Sequence, residues 1–171
     1  MRKLTGHNGI IWVIVVLSLF LIGTSVLLYQ EEEADKRAFQ SLLNRFYMEV
    51  DSSLHTTSLL TENSTADDEY VESLFISLEV RLNKITMLLD FADLAVDDTN
   101  FPNGDFARIA SYTSVEDYGE EAYVKRVQEM LTDIKVAMYS QEHNQEDPNL
   151  TPGEFNAIVE EATDQAWEYF N

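Results

Sequence analysis

The sequence predicts an all-α protein in which one N-terminal transmembrane helix is followed by an antiparallel four-helix bundle. Residues 9–29 are uncharged and mostly apolar, and residues 24–101 contain neither glycine nor proline. Apolar residues recur at steps of three and four along most of the chain. That spacing is typical of amphipathic helices, and no segment shows the alternation of a half-buried strand. Helices that each bury one apolar side pack most simply as a bundle.

The apolar run at residues 9–29 is about long enough to cross a bilayer as one helix. Arg2 and Lys3 precede it, so residues 1–8 are predicted to be a short basic cytoplasmic tail. Residues 30–171 then form an acidic extracytoplasmic domain, and the protein is expected in the cell membrane with a single pass. Cleavage of a signal peptide after Ser25 is the alternative. The run continues past Ser25 with apolar residues, which favours a retained signal-anchor.

Two long helices are expected at about residues 31–60 and 66–96, where strong helix formers predominate. The apolar residues of the first helix are spaced by three or four positions and lie on one side: Phe39, Leu43, Phe46, Val50 and Leu54. The same spacing marks the second: Val71, Phe75, Leu78, Leu82, Ile85, Leu89 and Ala92. Leu74, Leu88 and Phe91 are expected to widen the second stripe into one broad buried face. The polar residues 61–68 form the turn between the helices.

Residues 97–114 are interpreted as a long irregular connection because Asn100, Pro102, Asn103 and Gly104 are turn residues. A third helix is expected at about residues 115–141. The apolar residues of this helix lie on one side: Val124, Val127, Leu131, Ile134 and Met138.

The fourth helix, residues 152–170, has the best-defined start in the chain. Thr151 is the expected N-cap, Pro152 lies in the first turn, and Glu154 follows the cap by three residues. Its apolar side consists of Phe155, Ile158, Val159, Ala162, Ala166, Trp167 and Phe170. The aromatic C-terminus is expected to close the core, and a docking peptide for a partner is the alternative.

Charge and composition exclude several functions. The chain has 31 acidic and 11 basic residues, which gives a net charge of −20. That charge repels nucleic acids, so no nucleic-acid partner is expected. The chain has no cysteine, which excludes disulfides, cysteine nucleophiles and thiolate metal sites.

The three histidines were the first candidates for catalysis: His7, His55 and His143. Asp51 lies one turn before His55, and an ordinary i,i+4 surface pair explains that spacing. His143 lies among Glu142, Glu146 and Asp147, where a divalent cation could bind, but a solvated helix end is the preferred interpretation. No catalytic or paired-histidine motif is present in the sequence. We therefore predict no enzyme activity, no catalytic residue and no cofactor.

Two acidic turns carry side-chain oxygens of the kind that calcium-binding loops use. In the first, Gly104 is out of place for an EF-hand, and no acid occupies the twelfth position counted from Asp98. In the second, which begins at Asp147, the position of the bidentate glutamate is Ile158. No metal ligand is predicted, and an irregular cation site in the first turn stays the alternative.

The sequence predicts an anchor and a helical bundle but no group of catalytic residues. This combination favours a function in protein–protein contact. The leading hypothesis is an accessory or regulatory subunit of a membrane or envelope complex, attached to the membrane by residues 9–29 and bound to an unknown protein partner. Homo-oligomers are left open, because the first two helices could also pair between chains. The alternative is an extracytoplasmic module that binds a small ligand or a cation.

Overall fold

The computed structural model describes residues 5–63, 67–95, 103–112 and 121–170. The described residues form five helices: α1 (Thr5–Glu62), α2 (Asp68–Ala95), α3 (Asn103–Tyr112), α4 (Glu121–Met138) and α5 (Pro152–Phe170). A small hairpin of β1 (Tyr139–Ser140) and β2 (Gln145–Glu146) connects α4 to α5. The chain divides into two compact units, residues 1–38 and residues 39–171.

The first unit contains the N-terminal part of α1, a helix of 58 residues. No helix in the described part of the chain is long and apolar enough to cross a membrane. A span needs about 20 consecutive, mostly apolar residues. The acids at 31–33 follow the apolar run within the same helix. This finding overturns the predicted anchor at residues 9–29 and, with it, the predicted single-pass location in the cell membrane.

The second unit is built around the C-terminal half of α1. The predicted stripe is buried from Phe39 to Val50, and Leu54 is half-buried. The ring of Phe46 meets Phe155 of α5 edge-on at 4.8 Å between centroids, and Phe106 of α3 at 6.4 Å. Three helices therefore meet at Phe46, in the core of the unit.

Helix α2 turns its predicted stripe toward the core, and Leu78, Leu82, Ile85 and Leu89 are fully buried. The expected widening of this stripe is wrong at Phe91, whose side chain is 61% exposed. Phe91 follows Leu82 by nine residues, about two and a half helical turns, and therefore lies on the opposite side of α2.

Helix α3 lies within the connection that was predicted to be irregular, so the prediction is wrong for residues 103–112. Phe106, Ile109 and Ala110 are buried, and their spacing gives one apolar stripe on a short helix. Tyr123 of α4 donates a hydrogen bond to the Ile109 carbonyl at 2.8 Å. The predicted four-helix bundle is thus corrected to five helices among the described residues, while residues 97–102 and 113–120 lie outside them.

Helix α4 buries its predicted apolar side but ends at Met138, before the expected end at about residue 141. The chain there enters the hairpin, in which Tyr139 pairs with Glu146. Asn144 closes the turn with a φ of 54°, a left-handed conformation that asparagine tolerates better than most residues.

The predicted start of α5 is confirmed. The Thr151 hydroxyl accepts a hydrogen bond from the Glu154 amide at 3.3 Å, and the Thr151 amide donates to Glu154 Oε2 at 2.9 Å. Pro152 is the first helical residue. Behind this cap, α5 packs against α4, and its described core residues are Phe155, Val159, Ala162 and Ala166. The side chains of residues 167–170 lie outside the described ones.

Candidate functional site

A groove of about 420 Å³ lies between α1 and α2. The two helices line it with seven side chains: Arg45, Met48 and Glu49 from α1, and Lys84, Met87, Leu88 and Phe91 from α2. Its volume falls within the range of about 300–1,000 Å³ that is usual for ligand pockets. We call it the α1–α2 groove.

Large apolar side chains surround this groove and are open to solvent. Met48 is 61% exposed, Met87 57% and Phe91 61%. Single exposed apolar residues are ordinary on protein surfaces and need no explanation. Here three of them border one concave feature, together with the half-buried Leu88. Such a concentration is typical of an interaction surface.

The groove continues along α2 as an exposed apolar stripe. Its members are about half exposed or more, and we call them the outer face of α2: Ile76, Val80, Met87 and Phe91. They are spaced by four, seven and four residues, which places them on one side of the helix. From Ile76 to Phe91 the outer face extends about 22 Å along the helix axis.

The charged groups at the groove are mostly basic. Glu49 Oε2 lies 3.7 Å from Arg81 Nη1, and Glu49 Oε1 lies 3.7 Å from Lys84 Nζ. Both distances exceed those of a hydrogen bond. Glu49 Oε2 and Arg81 Nε are buried and have no hydrogen-bond partner among the described residues. Arg45 is exposed and has no ion-pair partner within the same residues.

A second polar cluster links α1 to α4. Lys135 donates a hydrogen bond to Asp51, and its ammonium lies 6.0 Å from the centroid of the Tyr47 ring. The hydrogen bond to Asp51 raises the pKa of Lys135 above its ordinary value, although partial burial opposes this. Burial raises the pKa of the Tyr47 hydroxyl. This cluster joins two helices, so it serves the fold.

The hairpin is also fastened to α1. Asn44 Nδ2 donates to Glu146 Oε1 at 2.8 Å, and Gln40 Nε2 donates to the Pro148 carbonyl at 3.2 Å. Glu146 of β2 is buried, and the contact with Asn44 satisfies one of its oxygens. Glu146, a candidate cation ligand beside His143, is therefore engaged in packing.

The histidines do not form a catalytic or metal centre among the described residues. His55 is exposed, and Asp51 pairs with Lys135 rather than with His55. His143 is also exposed, with Nδ1 3.1 Å from Ser140 Oγ. The side chain of His7 lies outside the described ones.

The second acidic turn is closed by a hydrogen bond within the turn. Asp147 Oδ1 accepts a hydrogen bond from the Asn149 amide at 2.9 Å, which is ordinary turn chemistry. Asp98 and Asn100 of the first turn lie outside the described residues. Within the described part of the chain, no three His, Asp or Glu side chains are close enough to hold a metal ion.

The α1–α2 groove was not predicted from the sequence, because only one apolar stripe was expected on each helix. The signal was present in α2, where the outer face repeats at helical spacing opposite the core stripe. On α1, Met48 alone gives no such pattern, and only the packing of the two helices brings it to the groove. No protein-family model, curated protein or solved structure matches the chain.

Proposed function

We propose that this chain is a protein-interaction module that binds an amphipathic helix of another protein in the α1–α2 groove. The observation that carries the proposal is the exposure of Met48, Met87 and Phe91 around one concave surface. Covering apolar surface is favourable by roughly 25 cal/mol for each Å² removed from water. Methionine and aromatic residues are enriched in protein interfaces, and methionine adapts its shape to a partner.

A helical partner fits the dimensions of this surface. The outer face of α2 extends about 22 Å, the length of about four turns of a partner helix. Helices that dock in a groove use apolar anchors spaced three, four and seven residues apart. A partner with that spacing would cover Ile76 and Val80 as well as the groove. In this role the chain serves as an accessory or regulatory subunit.

A small apolar ligand is the second candidate, and the groove volume of about 420 Å³ favours it. Such a ligand would fill the space beside Phe91. It would leave Ile76 and Val80 in water, although both are about half exposed on the same stripe. The length of the outer face therefore favours a helix over a small molecule.

The test is site-specific photocrosslinking with the full chain in its native cells. A photoreactive residue replaces Met87 in one variant and Val136 in another. Val136 is the matched control because it is 69% exposed on α4 and does not line the groove. We expect one protein to be crosslinked from position 87 and not from 136, and the crosslinked peptide to lie in an amphipathic helix.

Direct binding completes the test. With the crosslinked protein purified, Met87→Glu is expected to weaken binding at least about tenfold, which corresponds to about 1.4 kcal/mol. Val136→Glu is expected to leave the affinity unchanged, and circular dichroism checks that both variants stay folded. Equal loss in the two variants, or equal crosslinking from the two positions, would show that the α1–α2 groove is not the docking surface.

A further inference from the structure

The charge at the α1–α2 groove is opposite to the charge of the chain. The whole sequence has nearly three acidic residues for each basic one, with 31 against 11. Among the residues that line the groove the ratio is inverted, because Arg45 and Lys84 accompany the single acid Glu49. Arg81 lies 3.7 Å from Glu49 and adds a third positive charge beside it. A random surface patch of this protein would be acidic. The groove is therefore the place where an acidic group is attracted rather than repelled.

Glu49 is already shared between two of these bases. Each of its oxygens lies 3.7 Å from a different cation, one on Arg81 and one on Lys84. Arg45 lies on the exposed rim without an ion-pair partner among the described residues. An arginine guanidinium can bind a carboxylate through two parallel hydrogen bonds. The groove thus offers a cationic position that the chain itself does not neutralise.

We infer that the helix bound in the α1–α2 groove carries a carboxylate beside its apolar anchors, and that this carboxylate pairs with Arg45. The inference rests on the proposed function and specifies the chemistry of the partner. The acid lies on the flank of the partner helix that faces Arg45, beside the apolar anchors that contact Met87 and Phe91. Lys84 also lines the groove and adds a second positive charge there.

The rest of the chain narrows the choice of partner further. With a net charge of −20, the surface outside the groove repels a helix that is acidic all around. A helix with basic residues toward the groove would meet Arg45 and Lys84 and bind less tightly there. The α1–α2 groove therefore favours a partner helix whose acidic residues lie only beside its apolar face. The charges at the groove contribute to the choice of partner and to the rate of association.

The test uses three synthetic amphipathic helical peptides with the full-length chain. All three have the same apolar anchors, spaced to match the outer face of α2, and differ only in two flanking residues, which are Glu, Gln or Lys. Binding is measured by fluorescence anisotropy at low and at high salt. We expect the Glu peptide to bind about tenfold tighter than the Lys peptide, with the Gln peptide between them. The difference should shrink at high salt, because the charges are exposed.

Charge reversal at Arg45 identifies the residue responsible. Arg45→Glu is expected to reverse the order of the three peptides. Lys125→Glu makes the same change in net charge at an exposed position of α4 that does not line the groove, and is expected to keep the order. If both variants change binding equally, only the net charge of the chain matters and the inference is overturned.

The outcomes separate this inference from the proposed function. If the three peptides bind equally, and Met87→Glu weakens all of them while Arg45→Glu does not, the groove binds helices but does not select a carboxylate. If no peptide binds, both are overturned. If light scattering shows a concentration-dependent dimer that Met87→Glu abolishes, the occupant is a second copy of this chain, and the inference of a foreign acidic helix fails.

Discussion

The inner and outer faces of α2 are both apolar, yet their surroundings differ completely. Leu78, Leu82, Ile85 and Leu89 on the inner face have no exposed surface. On the outer face, the exposed fractions rise from 49% at Ile76 to 61% at Phe91. Both sets repeat at helical spacing, so periodicity alone does not distinguish them. The difference shows that one helix can hold the fold together with one side and remain available to a partner with the other.

The two faces should contribute very differently to stability. Burying a large aliphatic or aromatic side chain contributes about 1.5–3 kcal/mol relative to leaving it in water. Residues of the inner face realise that contribution within the chain. Those of the outer face keep about half of their surface in water and would realise the remainder only in a complex.

The largest effect is expected from a matched pair of phenylalanines. Phe46 is fully buried and contacts the rings of Phe106 and Phe155, whereas Phe91 is 61% exposed. Phe46→Ala should lower the free energy of unfolding by about 3–5 kcal/mol, because it removes core contacts and leaves a cavity. Phe91→Ala should change it by no more than about 0.5 kcal/mol. Urea denaturation of both variants measures the difference.

Equal losses in these two variants would contradict the contrast between the faces, because Phe91 would then be packed within the chain in solution. If Phe46→Ala fails to fold, Leu82→Ala on the inner face and Met87→Ala on the outer face provide a milder pair. The expected losses are about 2–5 kcal/mol for Leu82→Ala and about 0.5 kcal/mol or less for Met87→Ala.

The core of the second unit could be predicted from the sequence because each stripe obeys one simple spacing. The stripes of α1, α2 and α4 were named from their three- and four-residue steps, and their central members are buried. The start of α5 was predicted from three residues, since a cap depends only on neighbours in sequence. Local rules are visible in a sequence without any knowledge of the fold.

Features that depend on tertiary packing were missed. The start of α3 was not predicted, because Pro102 and Gly104 are turn residues. Phe106, Ile109 and Ala110 nevertheless have helical spacing. The hairpin after α4 has no glycine in its turn, so the strongest turn signal was absent there. The groove depends on which sides of α1 and α2 meet, and no local pattern encodes that choice. The anchor at residues 9–29 was predicted from the length of the run and its lack of charge, whereas no helix in the described part of the chain is long and apolar enough to cross a membrane.

Loss of the cap of α5 should lower the free energy of unfolding by less than loss of a core contact and by more than loss of an exposed one. Thr151→Ala removes the hydroxyl that accepts from the Glu154 amide, and is expected to lower the free energy of unfolding by about 0.5–2 kcal/mol. Thr132→Ala is the control, because Thr132 is exposed in the interior of α4. Its loss should be near zero or slightly favourable, since alanine has the higher helix propensity. Thermal unfolding of both variants tests the order.

The ion pair between Asp51 and Lys135 should contribute less than the cap. Both side chains are partly exposed, and exposed pairs contribute about 0.2–1 kcal/mol. Asp51→Asn should therefore cause a small loss that diminishes at high salt. Since the pair raises the pKa of Lys135, its contribution is present below the ordinary value of 10.5 and is lost as pH rises through the raised pKa. A loss above about 2 kcal/mol in urea denaturation would show that this exposed cluster supports the fold as the core does.

The smallest effect concerns Glu154, which is fully exposed. Hydrogen bonds from the amide and hydroxyl of Thr151 lower the pKa of its carboxyl. The folded state then favours the ionised form, so this contribution is present above the ordinary pKa and is lost as pH falls through the lowered one. The free energy of unfolding of Glu154→Gln should be closest to that of the wild type in acid. Toward neutral pH it should become lower than that of the wild type. Free energies of unfolding measured across the acidic range test this, with Glu160→Gln on the exposed side of α5 as the control. If both variants show the same pH dependence, net charge rather than the cap accounts for the effect. If Glu154→Gln lowers the free energy of unfolding equally at every pH, protonation of Glu154 does not contribute.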